Sequence, residues 1–226
     1  MRPKGLLITI DGPAGAGKST IAKKLAAQLG YLYLDTGAMY RSVALAAKRK
    51  GIPLENEEAL EQLAREINLE LKASSNGVWV FLEGKDVSRD IRTPEIDHLS
   101  SVVAQVPGVR TALSTKQKEI GKKGGVVAEG RDMGSFVFPD ADIKFFLTAS
   151  PEVRAKRRLF QLEKQGLRVD YQKILEEILA RDERDQKRKI APLIIPKGAV
   201  VIDTSNKKPE EVLEIILRQI KEKFYV

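Results

Sequence analysis

The chain has 226 residues, of which 42% are hydrophobic and 31% are charged, so it is long enough for a single domain with a small insertion or lid. It contains no cysteine and one histidine, His98, which excludes disulfides, cysteine nucleophiles and metal centres built from cysteine or several histidines. The formal net charge of +8 suits anionic ligands, and both nucleic acid and phosphorylated small molecules fit this charge.

The first predicted strand is the apolar run from Leu6 to Ile10, which ends at Asp11. This run is far too short to span a membrane. Gly12 and Pro13 follow it directly, without the small-residue cleavage site that is typical of a signal peptide. We therefore expect a cytoplasmic protein with no membrane partner.

Directly after this strand, the segment GPAGAGKS from Gly12 to Ser19 fits the phosphate-loop pattern G-x-x-x-x-G-K-[ST] in full. The glycines let successive backbone N–H groups point at phosphate oxygens, and the helix that follows adds its positive N-terminal end. We expect Lys18 to reach the β and γ phosphates of a nucleoside triphosphate and the Ser19 hydroxyl to bind Mg²⁺. The expected residues of this site, which is the ATP-binding site if ATP is the nucleotide, are Gly12, Pro13, Ala14, Gly15, Ala16, Gly17, Lys18, Ser19 and Thr20.

Further short apolar runs alternate with helical stretches along the chain. They are Tyr31 to Asp35, Gly125 to Gly130, Ile143 to Leu147 and Ala199 to Asp203. Apolar strands that alternate with amphipathic helices indicate an α/β fold, with a parallel β-sheet covered by helices on both faces. Ligands of such sheets bind at the carboxyl ends of the strands, so the polar segments that follow these runs are candidate sites.

The stretch from Asn68 to Val87 breaks this alternation. Apolar and polar residues partly alternate there around an Asn76-Gly77 turn signal, which predicts an antiparallel hairpin. We expect a small antiparallel β insertion at about residues 67–90. The alternative is a hairpin that extends the main sheet.

A basic helix is predicted after the run that ends at Leu147, with Ser150 as its N-cap, Pro151 as its first residue and Gly166 at its end. We interpret residues 151–170 as a short helical lid, with Arg154 and Arg157 as catalytic residues, because phosphoryl transfer needs water exclusion and positive charge on the moving group. The alternative is a basic surface helix that contacts no ligand.

The helix after Asp170 carries an apolar stripe that becomes charged. At a period of 3.6 residues, the stripe that starts at Tyr171 continues onto Arg181, Asp185 and Arg188. Charges on the inner face of a helix favour a pocket at its last turns. A ladder of structural ion pairs is the alternative.

Phosphate loops also occur in GTPase switches and motors. The guanine-binding pattern Asn-Lys-x-Asp has its nearest match at Asn206 to Pro209, where proline replaces the aspartate, which weakens the switch interpretation. Motors usually need larger domains than this chain offers.

Together these motifs resemble the bacterial cytidylate kinase family, within the P-loop nucleoside monophosphate kinases. The resemblance runs in order over nearly the whole chain, and two of its motifs, EGRDMG and RDxRDxxR, are specific to this family. The motifs are GPAGAGKST, DTGAMYR (35–41), EGRDMG (129–134), FPDA (138–141) and RDERDQKR (181–188) followed by APL (191–193).

The resemblance implies transfer of the γ-phosphoryl group of ATP to CMP or dCMP with Mg²⁺, within a single kinase domain over residues 1–226 whose acceptor-binding region covers 36–110. It implies that the acceptor's phosphate is held by Thr36, Arg41 and Arg131, its cytosine by Ser101, Arg110, Asp132 and Arg188, and its ribose by Arg181 and Asp185. The expected catalytic residues are Lys18, Arg131, Arg154 and Arg157, and Arg157 also contacts ATP.

These residue types suit recognition of cytosine. The Asp132 carboxylate can accept a hydrogen bond from the exocyclic amine, and arginines can donate hydrogen bonds to the acceptor atoms of the ring. Uracil carries a carbonyl in place of the amine and would leave the carboxylate unpaired. The sequence does not identify an acidic partner for Mg²⁺.

Two alternatives stay open. One is a phosphate-loop kinase for another acceptor, such as UMP, AMP or a small metabolite like shikimate. The other is a nucleotide-dependent RNA-binding module, which the aromatic content of 6% does little to support. We expect a monomer that acts on small molecules and binds no nucleic acid.

Overall fold

The computed structural model describes residues 2–74, 77–164 and 166–224. The strands are β1 (Leu7–Asp11), β2 (Leu32–Asp35), β3 (Leu69–Ser74), β4 (Gly77–Leu82), β5 (Lys85–Asp86), β6 (Val126–Glu129), β7 (Ile143–Thr148) and β8 (Val200–Asp203). The helices are α1 (Lys18–Leu29), α2 (Thr36–Lys50), α3 (Glu57–Glu66), α4 (Pro94–Val103), α5 (Pro107–Gly121), α6 (Pro151–Lys164), α7 (Tyr171–Gln186) and α8 (Pro209–Phe224). A 3-10 helix, Asp90–Arg92, precedes α4, and a π-helical turn, Met133–Val137, follows β6.

The main sheet is parallel and has the strand order β2-β6-β1-β7-β8. Its strands bury nearly continuous apolar runs between helices, which is the pattern of a sheet covered on both faces. The α/β prediction and each of its predicted strands are confirmed. Because all neighbouring strands run the same way, the segments after β1, β2 and β6 meet at one edge of the sheet.

The small insertion forms a separate antiparallel sheet in the order β3-β4-β5. In β4, Val78, Val80 and Leu82 are buried whereas Trp79 is 49% exposed, so alternate side chains face the core and the solvent. The insertion prediction is confirmed, and the hairpin does not extend the main sheet. The predicted turn residue Asn76 lies outside the described residues.

Helices α6 and α7 pack on each other around Ala155, Leu162, Ile174 and Ile178. As predicted, α6 starts at Pro151, and the Val153 amide donates to the Ser150 hydroxyl at 3.3 Å. The charged stripe predicted on α7 is only partly helical, because the helix ends at Gln186 and Arg188 lies in the segment beyond it.

Across the described ranges, none of the helices combines the length and the apolar composition that crossing a bilayer requires.

Candidate active site

The glycine loop between β1 and α1 packs tightly against the rest of the cleft. Gly12 has a φ of 143°, and a Cβ added there would lie 1.9 Å from the carbonyl oxygen of Leu147. Gly15 has a φ of 78°, and its added Cβ would lie 2.9 Å from the Cβ of Arg154. Only glycine fits both positions, so the loop curls as the phosphate-loop pattern requires.

Lys18 begins α1 and is buried in this loop. Its Nζ donates to the carbonyl oxygen of Pro13 at 2.7 Å. Burial, followed by the positive charge of Arg131, lowers the pKa of Lys18 to about 7. An anion in the loop would supply the missing counter-charge.

Glu129 is a candidate site residue that the sequence did not single out, although it stands in the EGRDMG motif. It ends β6, is buried, and accepts hydrogen bonds from the hydroxyl of Ser19 at 2.9 Å and from the hydroxyl of Tyr33. Burial, and then the nearby charge of Asp35, raises the pKa of Glu129. A serine hydroxyl beside a carboxylate is an oxygen donor set that fits Mg²⁺.

Asp35 gathers two arginines at the start of α2. It caps the helix by accepting from the amide of Ala38 at 2.8 Å, and it also accepts from Arg41 at 3.2 Å and from Arg92 at 3.1 Å. Although burial alone would raise the pKa of Asp35, the two guanidinium groups outweigh burial and lower it. The neighbouring Thr36 donates from its hydroxyl to the carbonyl oxygen of Glu129 at 2.6 Å.

Asp11, at the end of β1, holds the turn that carries the EGRDMG motif. Its carboxylate accepts from the amides of Met133 at 2.8 Å and Gly134 at 2.7 Å. Burial raises the pKa of Asp11 to about 7 even though both amides lower it. The end of β1, which leads into the glycine loop, and the turn at Met133 and Gly134 are therefore fixed to each other by one side chain.

Three of the residues implied in cytosine binding, Arg110, Asp132 and Arg188, lie within range of one another's charges. Asp132 forms a buried ion pair with Arg110, and the Arg110 guanidinium lies 5.6 Å from the centre of the Tyr40 ring. Among the described residues, several buried polar atoms of this region have no hydrogen-bond partner, and buried polar groups normally have one. They are Ser101 Oγ, Tyr40 Oη, Arg110 Nε and Arg188 Nε.

Asp185 on α7 connects two of the predicted arginines. Its side chain is 1% exposed, accepts from Arg131 Nε at 2.8 Å and forms an ion pair with Arg188. Burial raises its pKa, but Arg131 and Arg188 reverse the effect and lower it. Arg181, one turn earlier, donates to Asp97 of α4 at 2.9 Å. The charged stripe thus forms ion pairs with other elements that face the cleft.

The arginines of α6 contact the glycine loop from the other side. Arg154 is buried, donates to the carbonyl oxygen of Ala14 at 3.1 Å and pairs with Asp182 of α7 at 2.6 Å. Arg157 donates to the carbonyl oxygens of Gly15 at 3.3 Å and Thr204 at 2.6 Å. Both arginines therefore reach the loop, and Arg154 is anchored by a carboxylate.

An open cavity of about 610 Å³ lies beside the loop, at the carboxyl ends of β7 and β8. Polar groups of Ser150, Arg154 and Asp203 line it together with apolar side chains such as Leu193 and Ile195. It forms a mixed polar and apolar wall next to the predicted ATP site.

Residues 8–222 match the family model described as cytidylate kinase. A cytidylate kinase of Caldanaerobacter subterraneus subsp. tengcongensis is 51% identical over 214 residues, which cover 95% of this chain and 94% of the relative. The cytidylate kinase of Bacillus pumilus is 47% identical, with 95% of each chain covered. That of a Shewanella species is also 47% identical, and the match covers 99% of this chain and 98% of the relative.

Proposed function

Because the chain belongs to the cytidylate kinase family, we propose that its glycine loop and the start of α2 form the donor and acceptor sites of one phosphoryl transfer. The chain phosphorylates CMP and dCMP to CDP and dCDP with ATP as the donor. The observation that carries the proposed arrangement is the position of Glu129. Its carboxylate accepts a hydrogen bond from Ser19 at 2.9 Å, and its carbonyl oxygen accepts one from Thr36 at 2.6 Å. A hydroxyl of the proposed ATP site and a hydroxyl of the proposed CMP site therefore both donate to the same residue.

On the donor side, the loop amides hold the phosphates of ATP and Lys18 neutralises them. Mg²⁺, when bound by Ser19 with Glu129 beside it, supplies further positive charge to the phosphate oxygens. Glu129 orients the Ser19 hydroxyl, and Tyr33 in turn holds Glu129. The buried Lys18 favours an anionic partner because desolvation and Arg131 disfavour its charge in the absence of one.

On the acceptor side, Thr36, Arg41 and Arg131 hold the phosphate of CMP. Arg131 lies close enough to Lys18 for its charge to lower the pKa of Lys18, so an acceptor phosphate held by Arg131 would lie next to the phosphates held by the loop. Such positioning supports direct in-line transfer, since the reaction needs aligned phosphates and positive charge more than a covalent intermediate.

The base is recognised by the buried Asp132 and Arg110 pair together with Ser101 and Arg188. The unpartnered buried atoms of Ser101, Arg110 and Arg188 support this role, because a bound pyrimidine would supply the missing hydrogen-bond partners. Arg181 and Asp185 then hold the ribose. Discrimination against uracil follows because its carbonyl would place a second acceptor against the Asp132 carboxylate, where cytosine offers its amine as a donor.

We extend the proposal to the regions around these residues. Residues 36–110 with the β insertion form the acceptor-binding region, and residues 151–170 form a lid whose Arg154 and Arg157 add positive charge at the transferred phosphoryl group. The lid and the acceptor region belong to one kinase domain over residues 1–226. The chain works in the cytoplasm as a monomer. Sedimentation at micromolar concentration tests the oligomeric state, since a dimer would show twice the mass of the single chain.

The experiment for the site is an acceptor panel. ADP formation from ATP and Mg²⁺ is measured with CMP, dCMP, UMP, AMP or no acceptor, for the unmodified chain and for Asp132→Ala. We expect turnover with CMP and dCMP, and loss or broadening of this preference in the variant. A variant that keeps full preference for CMP over UMP would remove Asp132 from the base site.

A matched control is Asp140→Ala. Asp140 lies in the loop before β7 and forms an ion pair with Arg2 at 2.5 Å. The Asp140 side chain is 74% exposed. The control removes a carboxylate and an ion pair without touching the cleft, so its acceptor preference should equal that of the unmodified chain.

A further inference from the structure

Arg92 reaches into the acceptor site from the β insertion. It ends the 3-10 helix Asp90–Arg92, which connects the small sheet to α4. Its guanidinium donates to Asp35 at 3.1 Å, at the carboxyl end of β2, while 43% of the side chain stays exposed. The insertion and the main sheet are therefore joined by an arginine that lies at the edge of the cleft.

This contact brings two arginines together at the N-terminal end of α2. The Asp35 carboxylate is only 4% exposed, yet it serves both Arg41 and Arg92. The N-terminal end of α2 adds the positive end of the helix dipole. Two guanidinium groups and a helix N-terminus surround the Asp35 carboxylate and favour an anion, even though Glu129 near Asp35 and Asp97 near Arg41 add negative charge.

Comparison with a neighbouring ion pair separates Arg92 from an ordinary surface contact. Arg49 pairs with Asp90 of the same 3-10 helix at 2.6 Å, and both side chains are about half exposed, at 46% and 50%. Such exposed pairs contribute little to stability. Arg92 instead bonds the buried carboxylate of Asp35, which already has a positively charged partner in Arg41. A second guanidinium group is therefore not needed to pair this carboxylate.

We propose that Arg92 is a further acceptor-binding residue, which donates to the phosphate of CMP or dCMP alongside Arg41. A guanidinium has N–H donors on three nitrogens in a planar fork, so it can keep Asp35 while it bonds a phosphate oxygen. The segment that connects the β insertion to α4 then contributes directly to phosphate binding. The inference rests on the acceptor phosphate lying beside Arg41, as proposed above.

The test compares ligands with and without the phosphate. Binding of CMP and of cytidine is measured by calorimetry for the unmodified chain, Arg92→Met, Arg92→Lys and the control Arg49→Met. In Arg92→Met we expect the affinity for CMP to fall roughly 10- to 100-fold, the range for loss of a charged hydrogen bond, with the affinity for cytidine unchanged. Arg92→Lys should recover part of the loss, and Arg49→Met should match the unmodified chain.

A second readout is steady-state kinetics. In Arg92→Met the KM for CMP should rise by a similar factor while the KM for ATP stays the same, because the donor site is not altered. Equal losses for CMP and cytidine, or no loss for either, would overturn the role of Arg92. If the unmodified chain bound CMP no better than cytidine, the proposed phosphate site itself would be wrong, together with Arg92.

Discussion

Glu129 is held between two hydroxyl groups, and its negative charge is expected to matter more than its shape. Glu129→Gln keeps the size of the side chain but removes the charge beside Ser19, the residue proposed to bind Mg²⁺. Residues that orient a metal ligand typically change metal affinity about 10- to 100-fold when mutated, so the Mg²⁺ concentration for half-maximal activity should rise within that range. A Mg²⁺ titration of ADP formation measures this.

The matched control for this prediction is Tyr33→Phe, which removes the other hydrogen bond to Glu129 and leaves the charge in place. We expect a much smaller shift in Mg²⁺ dependence for this variant. Equal effects of both substitutions would mean that Glu129 acts only as a packing residue.

The lowered pKa of Lys18 leads us to expect that the protein takes up a proton when ATP binds. Burial and Arg131 lower its pKa from 10.5 to about 7 in the empty loop, so near pH 8 most chains carry a neutral Lys18. The phosphates of ATP favour the charged form and raise the pKa, so binding should take up nearly one proton per ATP near pH 8. Calorimetry in buffers of different ionisation enthalpy measures the uptake.

Lys18→Met provides the control, since a side chain that cannot be protonated should abolish the uptake. The effect should also shrink below about pH 6, where Lys18 is already charged before ATP arrives. An uptake that is the same at both pH values would contradict a lowered pKa.

At the scale of single residues, the motifs predicted which side chains would gather in the cleft, but they did not predict Glu129 as a partner of Ser19 or Arg92 as a partner of Asp35. Glu129 lies opposite Ile10 in the register between β6 and β1, which brings it next to the loop. Arg92 reaches Asp35 only because the insertion folds back over β2. Both contacts depend on register and on chain reversal, and neither is visible in a local pattern of residues.

At the scale of elements, helices α6 and α7 are tied by a buried ion pair. Arg154 is 3% exposed and Asp182 is 14% exposed. Asp182→Ala would leave the Arg154 charge buried without its carboxylate, so we expect the free energy of unfolding to fall by about 3 kcal/mol. Urea unfolding followed by circular dichroism measures the change.

Lys187→Ala is the comparison, since Lys187 and Glu183 form an exposed pair at the end of α7, with side chains 74% and 63% exposed. Breaking it should cost less than about 0.5 kcal/mol. If both substitutions cost the same, the Arg154 pair would have no special part in holding α6 against α7.

The elements themselves were the most predictable part of the molecule. Short apolar runs gave each strand of the main sheet, and the Ser150 cap and Pro151 gave the start of α6. The order β2-β6-β1-β7-β8 was not predictable, because the runs resemble one another and do not encode their neighbours. The end of α7 was also missed, since the charged stripe keeps its helical period past Gln186 although the helix does not.

At the scale of the whole molecule, the charge of +8 predicts how the chain behaves towards nucleic acid. Many of the arginines in the cleft are already paired with buried carboxylates, so any binding to RNA would come from diffuse surface charge. We expect weak binding of a single-stranded RNA at low salt that weakens steeply as salt is raised and does not depend on sequence. Fluorescence anisotropy with two unrelated RNA sequences measures both properties.

Saturating CMP and ATP serve as the control, because binding through surface charge should persist when the cleft is filled. Sequence-dependent RNA binding that the two substrates displace would contradict this expectation and would support the alternative of an RNA-binding module.

The proposed acceptor site is assembled from stretches that lie far apart in the chain. Thr36 and Arg41 belong to α2, Asp132 follows β6, and Asp185 lies on α7. If the proposed roles hold, no single segment of the chain carries the acceptor preference, so transferring one segment would not transfer the preference. Replacing residues 36–110 with those of a kinase for another acceptor would bring in that kinase's phosphate contacts, whereas Asp132 and Asp185 would remain from this chain. The hybrid would then contain contacts suited to two different acceptors.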